Sequence, residues 1–249
     1  MQQKDCLTLS FREALQTIRH APLYRHPSSF LWQRSLSIRS QFCEAVVASG
    51  LLTFGQMVNA ACRYCLGATR SRGVIYWQID QEGRIHDGKV MWYAADCHRL
   101  KDLAHRPTWV SYLLARRQQQ PKGTHTASHC FFGTHLLASP HTVCIVEAEK
   151  SAVILSEWYP EHVWLAAGGL GEVQLEKFRP LRGRRVILFP DTDSEGIAYR
   201  RWYEAARLVM QQPFWEGSPP IYVSSYLELH ATAEQKQQKI DLVDILFAP

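Results

Sequence analysis

The sequence predicts an α/β protein whose C-terminal half is a four-stranded parallel sheet flanked by helices, preceded by a smaller α+β region. Three observations carry this reading. Four short, continuously apolar runs, TVCIVE (142–147), HVWLAA (162–167), RRVILFP (184–190) and PIYVSS (220–225), alternate with helical segments, as parallel strands covered on both faces do. Upstream, RGVIYWQIDQEGRIHDGKVMWYA holds two β-rich runs about an Asp80–Gly83 turn, the pattern of an antiparallel hairpin. Between the two textures lies a polar stretch, Gln118–Ser128, read as an exposed loop or linker. The predicted divisions are a poorly defined segment at 1–29, an α+β subdomain at 30–140 and the parallel-sheet domain at 141–249.

Pro22 and Pro27 break the first segment. From Phe30 to Ser49 apolar residues recur at helical spacing (Leu31, Ile38, Phe42, Val46) until Gly50 ends the run. Thr53 with Gln56 is a capping-box pattern that opens a second short helix. After the hairpin, a helix is predicted near Thr108–Arg116. In the C-terminal half helices are predicted at Glu149–Trp158 and from about Gly196 to Gln211, with EVQLEKF short and helical between them. At the end, Ile240, Leu242, Val243, Leu246 and Phe247 mark a docking helix, with Asp241 and Asp244 as surface acids.

Composition narrows the class. With 249 residues, 46% of them hydrophobic, and 8 Trp, 10 Tyr and 10 Phe, the chain has the apolar surface that disordered chains lack. Charged or polar residues interrupt every candidate membrane span. MQQKDCLTLSFREAL has no apolar core behind a basic start, so no signal peptide is expected. Seven cysteines without regular spacing fit a reducing cytoplasm. The net charge is +5, and twenty of the 28 basic residues are arginine, whose planar fork suits phosphate. That composition permits a nucleic-acid partner and is equally a compositional bias.

Ligands of parallel sheets bind beyond the carboxyl ends of the strands. The first apolar run ends at Glu147 and the third in Asp191-Thr192-Asp193. Two residues apart, Asp191 and Asp193 share a side in extended backbone. If the two strands are neighbours, Glu147 completes one acidic corner. Carboxylates ~5 Å apart repel by ~3 kcal/mol per pair at an effective dielectric near 20, so a raised pKa or a cation must offset them. Hard oxygen donors suit Mg²⁺ or Mn²⁺. Taken singly, each acid also reads as a loop start or helix cap.

Glu147 in VEAEK, Gly168-Gly169 after the second run, and Asp191, Asp193 and Gly196 in DTDSEG together resemble the Toprim domain. This is the metal-binding fold of bacterial-type primases, type IA and II topoisomerases and some nucleases. The resemblance covers roughly Thr142 to Ser225, with Ala148 where the family often has Gly. GVIYWQIDQEGRIHDGKVMWY and HCFFGTHLL are similar to the N-terminal half of the bacterial primase polymerase core. From about residue 30 the chain resembles the primase-like, Toprim-containing proteins of Bacteroidota mobile elements.

The resemblance implies Mg²⁺ or Mn²⁺ held by Glu147, Asp191 and Asp193 as the catalytic and metal cluster. It implies single-stranded DNA and nucleoside triphosphates as substrates, a role in mobile-element DNA replication, and a replicative helicase as a further partner. A Toprim nuclease and a non-catalytic nucleic-acid-binding accessory protein remain as alternatives. Lys150, Gly168, Gly169, Lys89, Arg70, Arg72, Arg184 and Arg185 are the candidate substrate or nucleic-acid contacts, the charged ones equally readable as solvated surface groups. Arg179, Arg182, Arg200, Arg201 and Arg207 carry the same two readings, and Glu149 and Glu195 are outer ligands or helix N-terminal acids. No CxxC…CxxC arrangement supplies the zinc ribbon usual in primases. Cys62 and Cys65 with Cys97 and His98 are weak zinc candidates, and CRYCLG reads equally well as a half-buried strand with inert thiols. Trp77, Trp92 and Tyr93 are core or cross-strand aromatics, with base stacking as the alternative.

Overall fold

A computed structural model describes residues 35–119 and 129–247. The expectations for 1–29, for the first turn after Phe30 and for most of the polar stretch lie outside the described residues. The chain forms two compact units, Met1–Cys130 and Phe131–Pro249. No described helix is long and apolar enough to cross a membrane.

In the first unit, helices α1 (Gln41–Ala48) and α2 (Phe54–Arg63) precede an antiparallel sheet in the order β1 (Gly67–Ala68), β2 (Val74–Ile79), β3 (Ile85–Met91), β4 (Thr108–Trp109), with α3 (Val110–Arg117) following. The apolar spacing predicts one helix running through Ile38, but the chain is helical at Ser35, leaves the helix at Leu36 and re-enters one at Gln41. The Ser40 hydroxyl accepts the Cys43 N–H at 3.2 Å and caps the helix there, and Leu36 is bridged to Gly67 in extended pairing. Periodicity does not register a cap. The Thr53–Gln56 capping box is present as expected.

The hairpin follows the sequence reading. Gly83 closes the turn at φ 77°, and its N–H donates to the Asp80 carbonyl at 3.1 Å. The Asp80 carboxylate accepts the N–H groups of Glu82 and Arg84 and pairs with Arg84 Nε at 2.7 Å and His86 Nε2 at 2.9 Å. Trp77 stands opposite Gly88 in register. A Cβ at Gly88 would fall within 2.9 Å of Ile75, Trp77 and Val110 side chains, so only glycine admits that packing. Trp77, Trp92 and Tyr93 are buried, which makes them core rather than a stacking platform. CRYCLG is no continuous strand: Cys62 and Arg63 finish α2, Cys65 turns the chain at φ 53°, and Gly67 alone enters β1. Burial pushes the Cys65 thiol up to about 12, leaving it inert.

Asp87 on β3 organises the far end of this sheet. Its Oδ1 accepts the N–H groups of Gly88 (2.7 Å) and Ser111 (3.0 Å), and the Ser111 hydroxyl donates to Oδ2. The His129 ring, stacked on Trp109 at 4.1 Å, brings Nε2 to 3.8 Å from the same carboxylate. The acid thereby caps α3.

In the second unit four parallel strands lie in the order β6 (Val163–Ala166), β5 (Val143–Val146), β7 (Val186–Phe189), β8 (Ile221–Val223). Helix α4 (Glu149–Trp158) joins β5 to β6, a 3-10 stretch (Leu175–Leu181) joins β6 to β7, and α5 (Ile197–Met210) joins β7 to β8. Short helices α6 (Tyr226–His230), α7 (Ala233–Gln238) and α8 (Leu242–Phe247) follow β8. Strands β5 and β6 are buried at every position, as their unbroken apolar runs require. The core gathers Ile145, Leu165, Phe178, Leu188 and Trp202. Phe131 is buried in it, and Phe132 exchanges backbone hydrogen bonds with Ala166. Phe131 and Phe132 therefore belong to this unit. Helix α8 packs on α4, with Phe247 over Trp158 at 6.1 Å.

Burial pulls the Asp87 carboxyl up, but His129, the Ser111 hydroxyl and two backbone N–H groups hold it below the usual carboxylate range. A depressed folded pKa gives stability that is present above the unfolded value and lost as pH falls through the folded one. Asp87→Ala is expected to cost about 2–3 kcal/mol at pH 7, a gap that narrows in acid. Urea denaturation at pH 7 and pH 3, followed by circular dichroism, measures both.

Candidate active site

The order β6-β5-β7-β8 places a switch of chain direction between β5 and β7. From β5 the chain crosses outward to β6, and from β7 it crosses the other way to β8. The loops leaving these two strand ends diverge, and in open α/β sheets a crevice at this point is where ligands bind. Here the crevice has a volume of about 380 Å³ and is lined by Glu147, Leu170, Asp191, Thr192, Asp193, Ser194, Glu195, Ile197, Ala198 and Lys239. Val146 stands beside Phe189 in register, and neighbouring strands lie ~4.8 Å apart. Glu147 and Asp191 therefore leave adjacent strand ends into one space.

The acids have different surroundings. Burial pushes the Asp191 carboxyl well above the usual range, and the charges of Asp241 and Glu147 push it further, against the pull of Lys150. Asp193 is held in the opposite direction. Burial raises it, but the N–H groups of Ala198 (2.8 Å), Ile197 (3.0 Å) and Glu195 (3.0 Å) hold it below the usual range. Both its oxygens face the first turn of α5, where Gly196, at φ 63°, has no side chain to cap with. The i, i+2 argument for a shared side fails because the chain has left the strand and is turning: the Gly196 N–H donates to the Asp193 carbonyl at 3.1 Å. Asp193 lines the crevice as a helix cap.

Sequence reasoning missed Asp241. It is buried, not a surface acid, and its Oδ2 lies 3.0 Å from Lys150 Nζ and accepts the Ser151 hydroxyl at 2.7 Å. Burial raises its carboxyl, but Lys150 and Ser151 bring it below the usual range. Lys150, offered as a phosphate contact, has its ammonium turned to Asp241 and Asp244. Lys239, also missed, stands in the crevice wall at φ 57° where α7 ends. Its signal was its place next to the IDLVD run.

Do these groups fit a divalent ion? Among the described residues no three acids, histidines or cysteines gather closely enough to enclose one. Of the four carboxylates that line the crevice, Glu147 and Asp191 leave adjacent strand ends, and the charge of Glu147 is among those that push the Asp191 carboxyl up. That donor set suits Mg²⁺ or Mn²⁺, which take one or two carboxylates and complete their shell with water and phosphate oxygens. It fits an ion that arrives with a phosphorylated ligand, and does not form an all-protein cage.

The remaining candidates lie elsewhere. The Gly168 N–H donates to the Glu147 carbonyl at 2.9 Å, and both Gly168 and Gly169 have positive φ. The pair turns the chain beside Glu147, and its neighbour Leu170 reaches the crevice. Arg184 and Arg185 precede β7, at the opposite end of the strand from Asp191. The Arg184 guanidinium donates to the carbonyls of Ser139 (2.6 Å) and Leu137, and Arg185 stands 6.0 Å over the Tyr222 ring. The Arg184 guanidinium thus ties the segment before β5 to the start of β7. Arg179 pairs with Glu176 and Arg207 with Glu204. In the first unit Arg72 pairs with Glu44, Arg70 is exposed, and Lys89 is half-buried on β3. Cys65 and Cys97 are buried, Cys62 is half-buried, and His98 is exposed beside Asp96.

Comparison with solved structures finds the primase fragment of the bacteriophage T7 primase-helicase protein, at 15% identity and a TM-score of 0.44 over 73% of this chain and 70% of that one. The Aquifex aeolicus primase, in its zinc-binding and RNA polymerase domains, is similar at 13% identity and 0.47, over 79% of this chain and 51% of that one. A third is a chain in the structure of the bacteriophage T7 lagging-strand DNA polymerase interacting with primase domains of two gp4 subunits bound to an RNA/DNA hybrid and dTTP. It stands at 16% and 0.39, over 69% of this chain and 80% of that one. All three TM-scores lie below 0.5. No curated protein matches the sequence. One family model spans residues 41–192, more than half of the chain, and closes just past Asp191. On that match, the chain belongs to the family described as Domain of unknown function (DUF6371).

Proposed function

We propose that this protein is a divalent-metal-dependent nucleotidyltransferase of primase type, with its second unit a Toprim domain. It would extend primers on single-stranded DNA from nucleoside triphosphates in mobile-element replication, alongside a replicative helicase. The observation that carries the reading is the meeting of Glu147 and Asp191 in one crevice at the β5/β7 switch point. The VEAEK and DTDSEG motifs support it independently.

Glu147 and Asp191 would hold the Mg²⁺ or Mn²⁺, whose chemistry would be to neutralise charge on phosphoryl oxygens. The protein's own residues position. Asp193 fixes the loop that carries Asp191 to the start of α5, Gly168 ties the β6 loop to the Glu147 backbone, and Lys239 offers a cationic contact at the crevice wall. Phosphoryl transfer asks little more of a protein than such placement. The capping of Asp193 favours one rival, a non-catalytic nucleic-acid-binding protein that keeps the fold. That rival predicts binding with a steep salt slope, indifferent to metal and to the acids.

Primer synthesis on a single-stranded template with Mg²⁺ or Mn²⁺ tests the assignment. Asp191→Asn and Glu147→Gln are expected to lose about 100-fold or more. Asp193→Asn, which keeps a capping oxygen, should stay within about tenfold of wild type. Undiminished synthesis by Asp191→Asn removes the site, and DNA loss without nucleotides supports a nuclease instead.

Asp191 also predicts a stability signature. A raised folded pKa gives stability that is full at low pH and lost as pH rises through the folded value. Without metal at pH 8, Asp191→Asn should melt about 2–4 °C above wild type, and the two should converge in acid. Mn²⁺ with a non-hydrolysable triphosphate should raise the wild-type melting temperature and leave the variant unmoved. Differential scanning calorimetry reads all three.

A further inference from the structure

Lys239 occupies a backbone position that ordinarily calls for glycine. It closes α7 in the left-handed region, at φ 57° and ψ 52°, with its N–H turned back to the carbonyls of Gln235 and Lys236. A β-carbon is strained there, which is why glycine or asparagine usually ends a helix this way. The place of this residue is fixed from both sides. Upstream, the Thr232–Gln235 capping box and the bond from Lys236 Nζ to the Glu228 carbonyl (2.8 Å) hold α7. Downstream, the Ile240 carbonyl accepts the Thr192 N–H at 3.2 Å, and the Thr192 hydroxyl donates to Glu228 Oε1 at 2.9 Å. Lys239 is thereby tied to the residue that follows Asp191, and it lines the crevice with Glu147, Asp191 and Asp193.

The ammonium is not consumed by its surroundings. Its charge is felt at Asp193, but both Asp193 oxygens already accept N–H groups at the start of α5. Among the described residues no carboxylate forms an ion pair with it. The dipole of α7 asks only for a cation in the last turn, and Lys236 supplies one. We propose that Lys239 holds a phosphate of the crevice's ligand, the backbone strain being retained to keep an ammonium beside the Asp191 loop. The ligand class is a polyphosphate, with one phosphate on the metal ion of Glu147 and Asp191 and another on Lys239. The polyphosphate class rests on the metal reading of those two acids, whereas phosphate binding at Lys239 does not.

Calorimetric titration of the full chain in Mn²⁺, with a non-hydrolysable adenosine triphosphate analogue and with adenosine monophosphate, tests this. Lys239→Gly and Lys239→Asn remove the ammonium and suit the left-handed backbone. Each is expected to bind the triphosphate at least about tenfold more weakly than wild type, and the monophosphate within about twofold of it. Both should melt at or above the wild-type temperature, because the strain is relieved. Lys239→Arg, which keeps the charge, should keep the affinity within about threefold. Wild-type affinity in Lys239→Gly overturns the proposal. Weaker binding together with a lower melting temperature assigns the lysine a structural role and overturns it too, and equal losses for the two nucleotides overturn the polyphosphate class. Weakened binding in Lys239→Gly beside unchanged binding in Glu147→Gln supports Lys239 and overturns the metal reading. A wild type that binds neither nucleotide overturns both.

Discussion

The pairing of β5 with β7 is the constraint on which the site depends. Because Val146 stands beside Phe189 and both strands run the same way, Glu147 and Asp191 must emerge at the same sheet edge. Because β6 and β8 lie on opposite sides of that pair, the connections part above it. Neither acid has a reason to tolerate the other on packing grounds alone. Their juxtaposition raises the free energy of the ionised site, and such cost at a crevice is what functional sites characteristically show.

The second unit answers that charge unevenly. Asp193 is absorbed by the backbone N–H groups of α5, and Asp241 by Lys150, Ser151 and the first turn of α8. Asp191 is left with its carboxyl pushed well above the usual range. Helix α8 thus contributes electrostatics as well as the apolar contact of Phe247 with Trp158. The acid outside the family match, Asp241, completes the surroundings of an acid inside it.

Much of this was legible in the sequence because it follows from local rules. The four strands fall within their apolar runs, α4 spans Glu149–Trp158 as predicted, and the hairpin turns at Asp80–Gly83. Continuous apolar runs and glycine turns report directly on parallel strands and hairpins. The rest depends on partners far along the chain or on where an element stops. Asp241 reads as a surface acid because its partners, Lys150 and Ser151, lie some ninety residues upstream. Asp191 and Asp193 both line the crevice, but through a turn and not through the alternation of an extended strand. The carbonyl partners of Arg184 lie some 45 residues upstream, out of reach of any local pattern. In α1, apolar spacing runs through Ser40, whose hydroxyl starts the helix there.

A crystal of the protein grown with Mn²⁺ and a non-hydrolysable nucleoside triphosphate, with data collected at the manganese absorption edge, puts this arrangement to its sharpest test. An anomalous peak bridging the carboxylates of Glu147 and Asp191, with phosphate oxygens completing its shell, is the predicted result. A crevice without such a peak while the triphosphate is bound, or manganese lying away from both acids, would contradict it.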